Sequence, residues 1–424
     1  MDKIIKKAAK GLRGEVTIPS DKSISHRAVM FASLAKGRSV IRNFSNGQDP
    51  HSSLKLCSTL GVEYKFSNGE LILTSSGHFN APVSELDCGN SGTTMRLMTG
   101  ILAGQSFNSV LKGDESLSKR PMKRVIEPLS LMGAEINSVD GHAPLLVNGS
   151  HLSGIKYTSK LASAQVKSCI LLAGLFADGK TVFTEPYVSR NHTELMLKFM
   201  GADLKVSGTS VSIAKSSLNP IELDVCGDIS SAAYFIAAGL IVPDSKIILK
   251  NVGLNPTRAG ILEVVEKMGG NIRILDKREQ AGEDVGDLEI NYTEQLKGCV
   301  IEGDIIPRLI DELPVIAVLA TQAEGETIVK DAGDLRNKES DRITAVVTEL
   351  KKVGADIEEQ NDGFVIFGKT CLSGGCEVET YHDHRLAMSL YVAGLVCKKP
   401  LQINSFEWVN ISFPEFDNLF CKLM

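Results

Sequence analysis

The chain is written in a repeat of about 71 residues, and that repeat limits what it can become. A polar turn, a run rich in Ala, Leu and Met, and a short β-branched strand recur six times. The copies are SISHRAVMFASLAKGRSVI, SGTTMRLMTGILAGQSFNSVL, SAQVKSCILLAGLFADGKTVF, ISSAAYFIAAGLIVPDSKIIL, DELPVIAVLATQAEGETIV and HDHRLAMSLYVAGLVCKKPLQI. With Ser25, Thr93, Gln165, Ser231, Glu312 and His384 as markers, the intervals are 68, 72, 66, 81 and 72 residues. A second helix type ends in glycine before a strand, as in STLGVEY and KKVGADI. Its capping glycines, Gly61, Gly133, Gly201, Gly269 and Gly354, are spaced 72, 68, 68 and 85. The sixth copy stops in FPEFDNLFCKLM, and the strand-like GLRGEVTIP near the N-terminus is expected to supply its missing strand.

Each unit reads strand, helix, strand, helix, strands. The Ala-rich helices are apolar nearly all round, and such helices are buried. Six units then form two α/β domains of three repeats each. Residues 1–20 with 228–424 make the domain formed by both termini, and 21–227 make an inserted one. The crossings fall near 19–22 and 226–230. Equivalent helix ends point the same way, so the polar first turns gather on the domain faces and one active site is expected in the cleft between them.

The composition suits small charged ligands. Net charge is -5 and no block of like charge suggests a nucleic-acid or membrane surface. The longest apolar runs, such as AAYFIAAGLIV, are shorter than the ~18 residues that span a bilayer. The basic start MDKIIKKAAKGLRG has no apolar signal core, so a cytoplasmic protein is expected. Nine scattered cysteines without a CxxC are expected as free thiols. His382 and His384 lack an evident third ligand, so no metal is expected, and no cofactor, because no P-loop or GxGxxG occurs.

The polar turns carry the chemistry. DKSISHR puts Lys22, Ser23, His26 and Arg27 at a buried helix start, with Asp21 as N-cap in the plainest reading. CGNSGTTMRL offers Gly92 for close approach of a ligand, and Arg96. SLSKRPMKR carries Lys119, Arg120, Lys123 and Arg124, with Arg120 set by Pro121. SAQVKS supplies Ser163, Gln165 and Lys167, and YVSRNHTE supplies Tyr187, Arg190 and His192. In IDELP, capping accounts for one of Asp311 and Glu312 and leaves the other as a base. LRNKESDR holds Lys338, Glu339, Asp341 and Arg342, and HDHR holds His384 and Arg385. Many cations around one acidic turn suit two substrates with phosphate or carboxylate groups and one hydroxyl to deprotonate.

In combination, PSDKS, GNSGTTMRL, SAQVKS, RNHTE, GDISSAAYF, DELP, LRNKESDR, DHRLAM and SFPEF resemble the 5-enolpyruvylshikimate-3-phosphate synthase family over essentially the whole chain. The resemblance implies an inverse α/β barrel fold, two domains of three βαβαββ units with buried parallel helices. It implies transfer of the enolpyruvyl group of phosphoenolpyruvate to the 5-hydroxyl of shikimate-3-phosphate. By position, Lys22, Ser23, Arg27, Ser163, Gln165, Arg190, Asp311 and Lys338 would hold shikimate-3-phosphate. Lys22, Gly92, Arg120, Gln165, Arg342 and Arg385 would hold phosphoenolpyruvate. Asp311 would take the hydroxyl proton, Glu339 would serve the methylene carbon with His384 nearby, and Lys22 would assist. A monomer acting on these two small molecules is expected, without nucleic-acid or membrane partners.

The chain departs from the family where some members carry a lysine before the C-terminal FP; Ile411 and Ser412 stand there, and Asp334 replaces an asparagine. Gly92 is the small residue expected in members sensitive to glyphosate. The nearest alternative is the sister enzyme acting on UDP-N-acetylglucosamine. That enzyme opens with Lys-Asn and carries a loop cysteine, whereas Lys22–Ser23 and a cysteine-free SLSKRPM stand here. A nucleic-acid clamp of repeated domains is disfavoured by the net charge.

Overall fold

Each of the six Ala-rich runs forms a helix: α1 (Lys22–Leu34), α2 (Gly92–Ala103), α3 (Ala164–Gly174), α4 (Ile229–Ile241), α5 (Leu313–Ala320) and α6 (His384–Gly394). The computed structural model describes residues 2–424. Every residue of α5 is buried, and all but one each of α2 and α4. Helices apolar on all sides have no face to offer water.

Side chains start most of these helices as the polar turns suggest. The Ile24 N–H donates to Asp21 at 2.8 Å, the Thr94 N–H to Ser91 at 3.1 Å, and the Arg385 N–H to Asp383 at 2.9 Å. Each bond satisfies a backbone donor that the first helical turn leaves open. The helices of the second type end at glycine as expected. Gly354 caps Arg342–Val353 at φ 101°, and the other four capping glycines also have positive φ, which side chains with a Cβ avoid.

The chain clusters into two compact units. The segment up to Pro19, Cys226–Glu279 and Asp284–Met424 form the terminal unit; Ser20–Val225 and Gln280–Glu283 form the inserted unit. Residues 280–283, the tip of the hairpin formed by strands Ile272–Gln280 and Glu283–Asn291, group with the inserted unit, unlike in the sequence reading.

Within the inserted unit, each sheet has one parallel pair followed by antiparallel ones. Leu86–Asp87 runs parallel to Ser109–Lys112, Lys156–Thr158 to Lys180–Thr184, and Glu222–Asp224 to Gly37–Arg42. α2 and α3 approach until a Cβ on Gly100 would stand 2.2 Å from the Cys169 carbonyl oxygen, so only glycine fits there.

In the terminal unit, α4, α5 and α6 pack on one another over a single apolar core. Phe413, Phe416 and Phe420 near the C-terminus pack against Phe235, Phe420 stacked on it at 4.3 Å between ring centroids and the other two tilted. One expectation is corrected here. GLRGEVTIP does not complete the sixth sheet; Arg13–Thr17 pairs in parallel with Lys246–Lys250, in the fourth. The sixth sheet already holds its parallel pair, Glu377–Glu379 with Leu401–Asn404, and lacks an antiparallel neighbour. Lys3–Ile5 fills that place, Lys3 opposite Ile403. Among the described residues no helix is long and apolar enough to cross a membrane.

Candidate active site

Two clusters of the expected residues form, one in each unit. In the inserted unit, Arg27 is buried and spends its guanidinium on its own fold. It donates to Thr193 Oγ1 at 2.7 Å, Ser168 Oγ at 2.9 Å and the Ser23 carbonyl at 2.9 Å. Burial lowers its pKa to about 10, with Glu194 and Asp21 opposing and Arg190 adding to the shift, so it stays charged at neutral pH. Lys22 reaches Asp49 at 3.0 Å, and burial of Asp49 is outweighed by that ammonium, which keeps the carboxylate ionised.

Around α2, Arg96 Nη1 donates to Gln165 Oε1 at 2.6 Å, and Gln165 Nε2 donates to Thr93 at 3.1 Å. Arg120 Nη2 donates to Asn90 at 3.0 Å. A methyl on Gly92 would lie 2.8 Å from Arg96 Nη1 and 3.5 Å from Arg120 Nη1, so Gly92, Arg96, Arg120 and Gln165 share one small space. Ser163 accepts from the Val166 N–H at 3.5 Å, which gives it a capping role at α3. Lys167, from the same SAQVKS turn, goes elsewhere. It is fully buried between Glu185 at 2.7 Å and Glu194 at 2.8 Å and donates to the Ser189 carbonyl at 3.0 Å. A lysine in that setting is a structural cation.

The terminal unit concentrates its charges on Arg342. Its Nε donates to Asp383 at 2.7 Å, Nη2 to Glu339 at 2.6 Å and Nη1 to Asp311 at 3.2 Å. Lys338 stands 3.7 Å from Asp311 and 3.9 Å from Asp334, and Arg385 Nη2 lies 3.8 Å from Asp311. Three cations thus converge on the Asp311 carboxylate. Burial alone would raise the Glu339 pKa, but Arg342 and His384 outweigh it and hold the carboxylate well below its usual range. Burial, reinforced by Arg385, lowers His384 to about 4, so its ring is neutral at pH 7.

In the acid pair of IDELP, Glu312 stands at the N-cap position of α5 but its carboxylate makes no cap bond. Glu312 instead accepts a short hydrogen bond from Ser230 and stands 4.0 Å from Arg385. Ser230 in turn receives Arg258 at 2.8 Å, and Arg258 also pairs with Asp228 at 3.0 Å. Arg258, Asp228, Asp49 and Asp383 are among the charged groups that sequence reading missed. Asp383 had a signal, a polar residue directly before a buried helix; Arg258 had none. Ile411 ends the turn Phe406–Ile411 and brings no charge. His382 stacks on Trp408 with centroids 4.6 Å apart. Among the described residues no group of three or more His, Cys, Asp and Glu could hold a metal ion. Cys88 is buried and its thiol is pushed far up by burial, an inert position.

Comparison with known proteins follows the same lines. Residues 6–420 match the family model described as EPSP synthase (3-phosphoshikimate 1-carboxyvinyltransferase). The chain is 52% identical over 426 residues to the 3-phosphoshikimate 1-carboxyvinyltransferase of Thermodesulfovibrio yellowstonii, covering 99% of both. It is 50% identical over 410 residues to that of Bacillus subtilis, covering 96% of both. An EPSP synthase structure from Acinetobacter baumannii superposes with a TM-score of 0.92 at 41% identity, covering 100% of this chain and 98% of that one. The enolpyruvyl transferase NikO of Streptomyces tendae shares the fold, with a TM-score of 0.79 at 16% identity over 100% of this chain and 97% of that one.

Proposed function

The chain belongs to the EPSP synthase family, and we propose that it transfers the enolpyruvyl group of phosphoenolpyruvate to the 5-hydroxyl of shikimate-3-phosphate, releasing phosphate. The alternative acceptor, UDP-N-acetylglucosamine, is not favoured by relatives of this identity. The carrying observation is Asp311, a carboxylate held among Arg342, Lys338 and Arg385.

Asp311 accepts the proton of the 5-hydroxyl as its oxygen attacks C2 of phosphoenolpyruvate. C3 takes up a proton at the same time, giving a tetrahedral ketal. The C2–O bond to phosphate then breaks and a methyl proton leaves, forming the enol ether. Each proton transfer by a placed group contributes about 10²–10⁴-fold. Glu339, ionised at rest, is suited to remove the methyl proton. To serve the first step it must gain a proton, and anionic phosphoenolpyruvate drawing on Arg342 raises its pKa in that direction. His384, neutral and buried beside it, accompanies that proton. Arg342, Arg385, Arg120, Lys22, Gly92 and Gln165 bind phosphoenolpyruvate, the cations stabilising charge on the departing phosphate. Lys22, Ser23, Arg27, Ser163, Gln165, Arg190 and Lys338 hold shikimate-3-phosphate. The crossings near 19–22 and 226–230 act as the hinge, and the enzyme works as a cytoplasmic monomer.

Phosphate release from the two substrates, in wild type and Asp311→Ala, tests this. Release by the wild type that falls at least 100-fold in the variant supports reaction and base together. Equal release by both keeps the enzyme and removes Asp311 as its base, while none from a folded wild type rejects the reaction.

A further inference from the structure

The reading above gives Lys22 a part in binding both substrates and leaves unexplained how a flexible ammonium is held for it. The outer helix Gln48–Thr59 carries Asp49 in its first turn and Ser53 one turn later, on the same face. Asp49 Oδ2 accepts from Lys22 Nζ at 3.0 Å. Ser53 Oγ lies 2.7 Å from His26 Nδ1 and 2.8 Å from Thr94 Oγ1, and Thr94 donates to Ser91 at 2.8 Å. His26 and Thr94 are fully buried and Ser91 is the N-cap of α2. One face of this helix therefore ties the first turn of α1 to the turn that carries Gly92. Asp49 thus rides on a helix anchored by that buried chain, and its own side chain is only 15% exposed.

We infer that Asp49 is a positioning residue for the transfer reaction, holding the Lys22 ammonium in its catalytic place through a helix anchored by Ser53. A lysine with four rotatable bonds gains most from such a partner, because a displacement of about 1 Å at a reacting group costs up to ~10²-fold in rate. The carboxylate also has a Coulombic effect of opposite sign. It stands near Arg120 as well as Lys22 and opposes the binding of an anion there. Removing its charge without its shape therefore separates two quantities that a loss of folding would move together.

This inference rests on the role given to Lys22, and the experiment is built to part the two. Steady-state kinetics are measured on full-length wild type, Asp49→Asn, Asp49→Glu, Lys22→Met and the double variant Lys22→Met/Asp49→Asn, with thermal unfolding of each. In Asp49→Asn, kcat falls about 10–100-fold while KM for phosphoenolpyruvate stays level or drops. Asp49→Glu recovers part of kcat. In the Lys22→Met background, Asp49→Asn costs less than about twofold more, the non-additivity of groups acting through one another. Multiplying losses in the double variant, or a rise in KM with kcat intact, overturn the positioning role while Lys22 keeps its own. Full activity of Lys22→Met overturns the reading of Lys22 and this inference with it.

Discussion

Arg342→Met removes the guanidinium around which the terminal unit's charges are arranged. The side chains of Arg342 and Asp383 are 1% and 0% exposed, so the Asp383 carboxylate would be left in the interior with the N–H of Arg385 and the Ser340 hydroxyl as donors. Breaking a buried pair on one side costs about 3–5 kcal/mol, a large part of a domain's ~5–15 kcal/mol. Glu339 adds little, because a third of its side chain is exposed and solvent screens it. The sign with pH follows from Asp383. Burial raises its pKa and Arg342 more than reverses that, so the native value lies below the unfolded one. The pair's contribution is then complete above the unfolded value, about 3.9, and fades as pH falls through the native one. In the variant, burial is opposed only by His384 and the two remaining donors, the native pKa rises, and acid relieves the strain. The gap between wild type and variant is widest near pH 7 and narrows towards pH 4.5. Urea denaturation followed by fluorescence reports on this unit, because the chain's one tryptophan, Trp408, lies in it against His382. A gap that stays constant from pH 7.5 to 4.5 would mean lost packing and not lost charge, and would refute this account.

Other outcomes follow from neighbouring parts. Gly92→Ala forces Arg96 Nη1 off its 2.8 Å position and disturbs its bond to Gln165. KM for phosphoenolpyruvate rises about tenfold, ~1.4 kcal/mol, and inhibition by glyphosate weakens further; unchanged constants would place the ligand elsewhere. The wild type itself is inhibited by glyphosate in competition with phosphoenolpyruvate, and indifference to millimolar inhibitor at low phosphoenolpyruvate disproves this. Lys167→Met takes away the ammonium that bridges Glu185 and Glu194 and costs about 3–5 kcal/mol, read as a lower thermal midpoint by circular dichroism.

Local signals proved readable in this sequence. Asp21 and the five capping glycines act within four residues of their own positions, so residue identity alone announces them. Long-range pairing was harder. Nothing in GLRGEVTIP distinguishes a sheet around residue 247 from one around residue 402, since both offer β-branched neighbours. Arg342 and Arg385 were visible as cations beside buried helices, yet apart from Glu339, three residues before Arg342, the hydrogen-bond partners of their guanidinium groups are 31 to 74 residues away in sequence. Lys167 shows the converse. Its motif suggested a ligand contact, and two glutamates 18 and 27 residues downstream claim it.

The placing of the two N-terminal strands has a consequence for how the protein is made. Ser20–Val225 contains every strand of its own three sheets, including Glu222–Asp224, and can complete them as soon as it leaves the ribosome. Arg13–Thr17 must wait for Lys246–Lys250, and Lys3–Ile5 for Leu401–Ile403, almost the whole length of the chain. At ~5–20 residues per second, Lys3–Ile5 stays unpaired for roughly 20–80 s of synthesis. Unpaired strands invite association with other chains, and lysines along them oppose it. Lys3–Ile5 lies within DKIIKKAAK, whose four lysines oppose such association while its partner is still to be made.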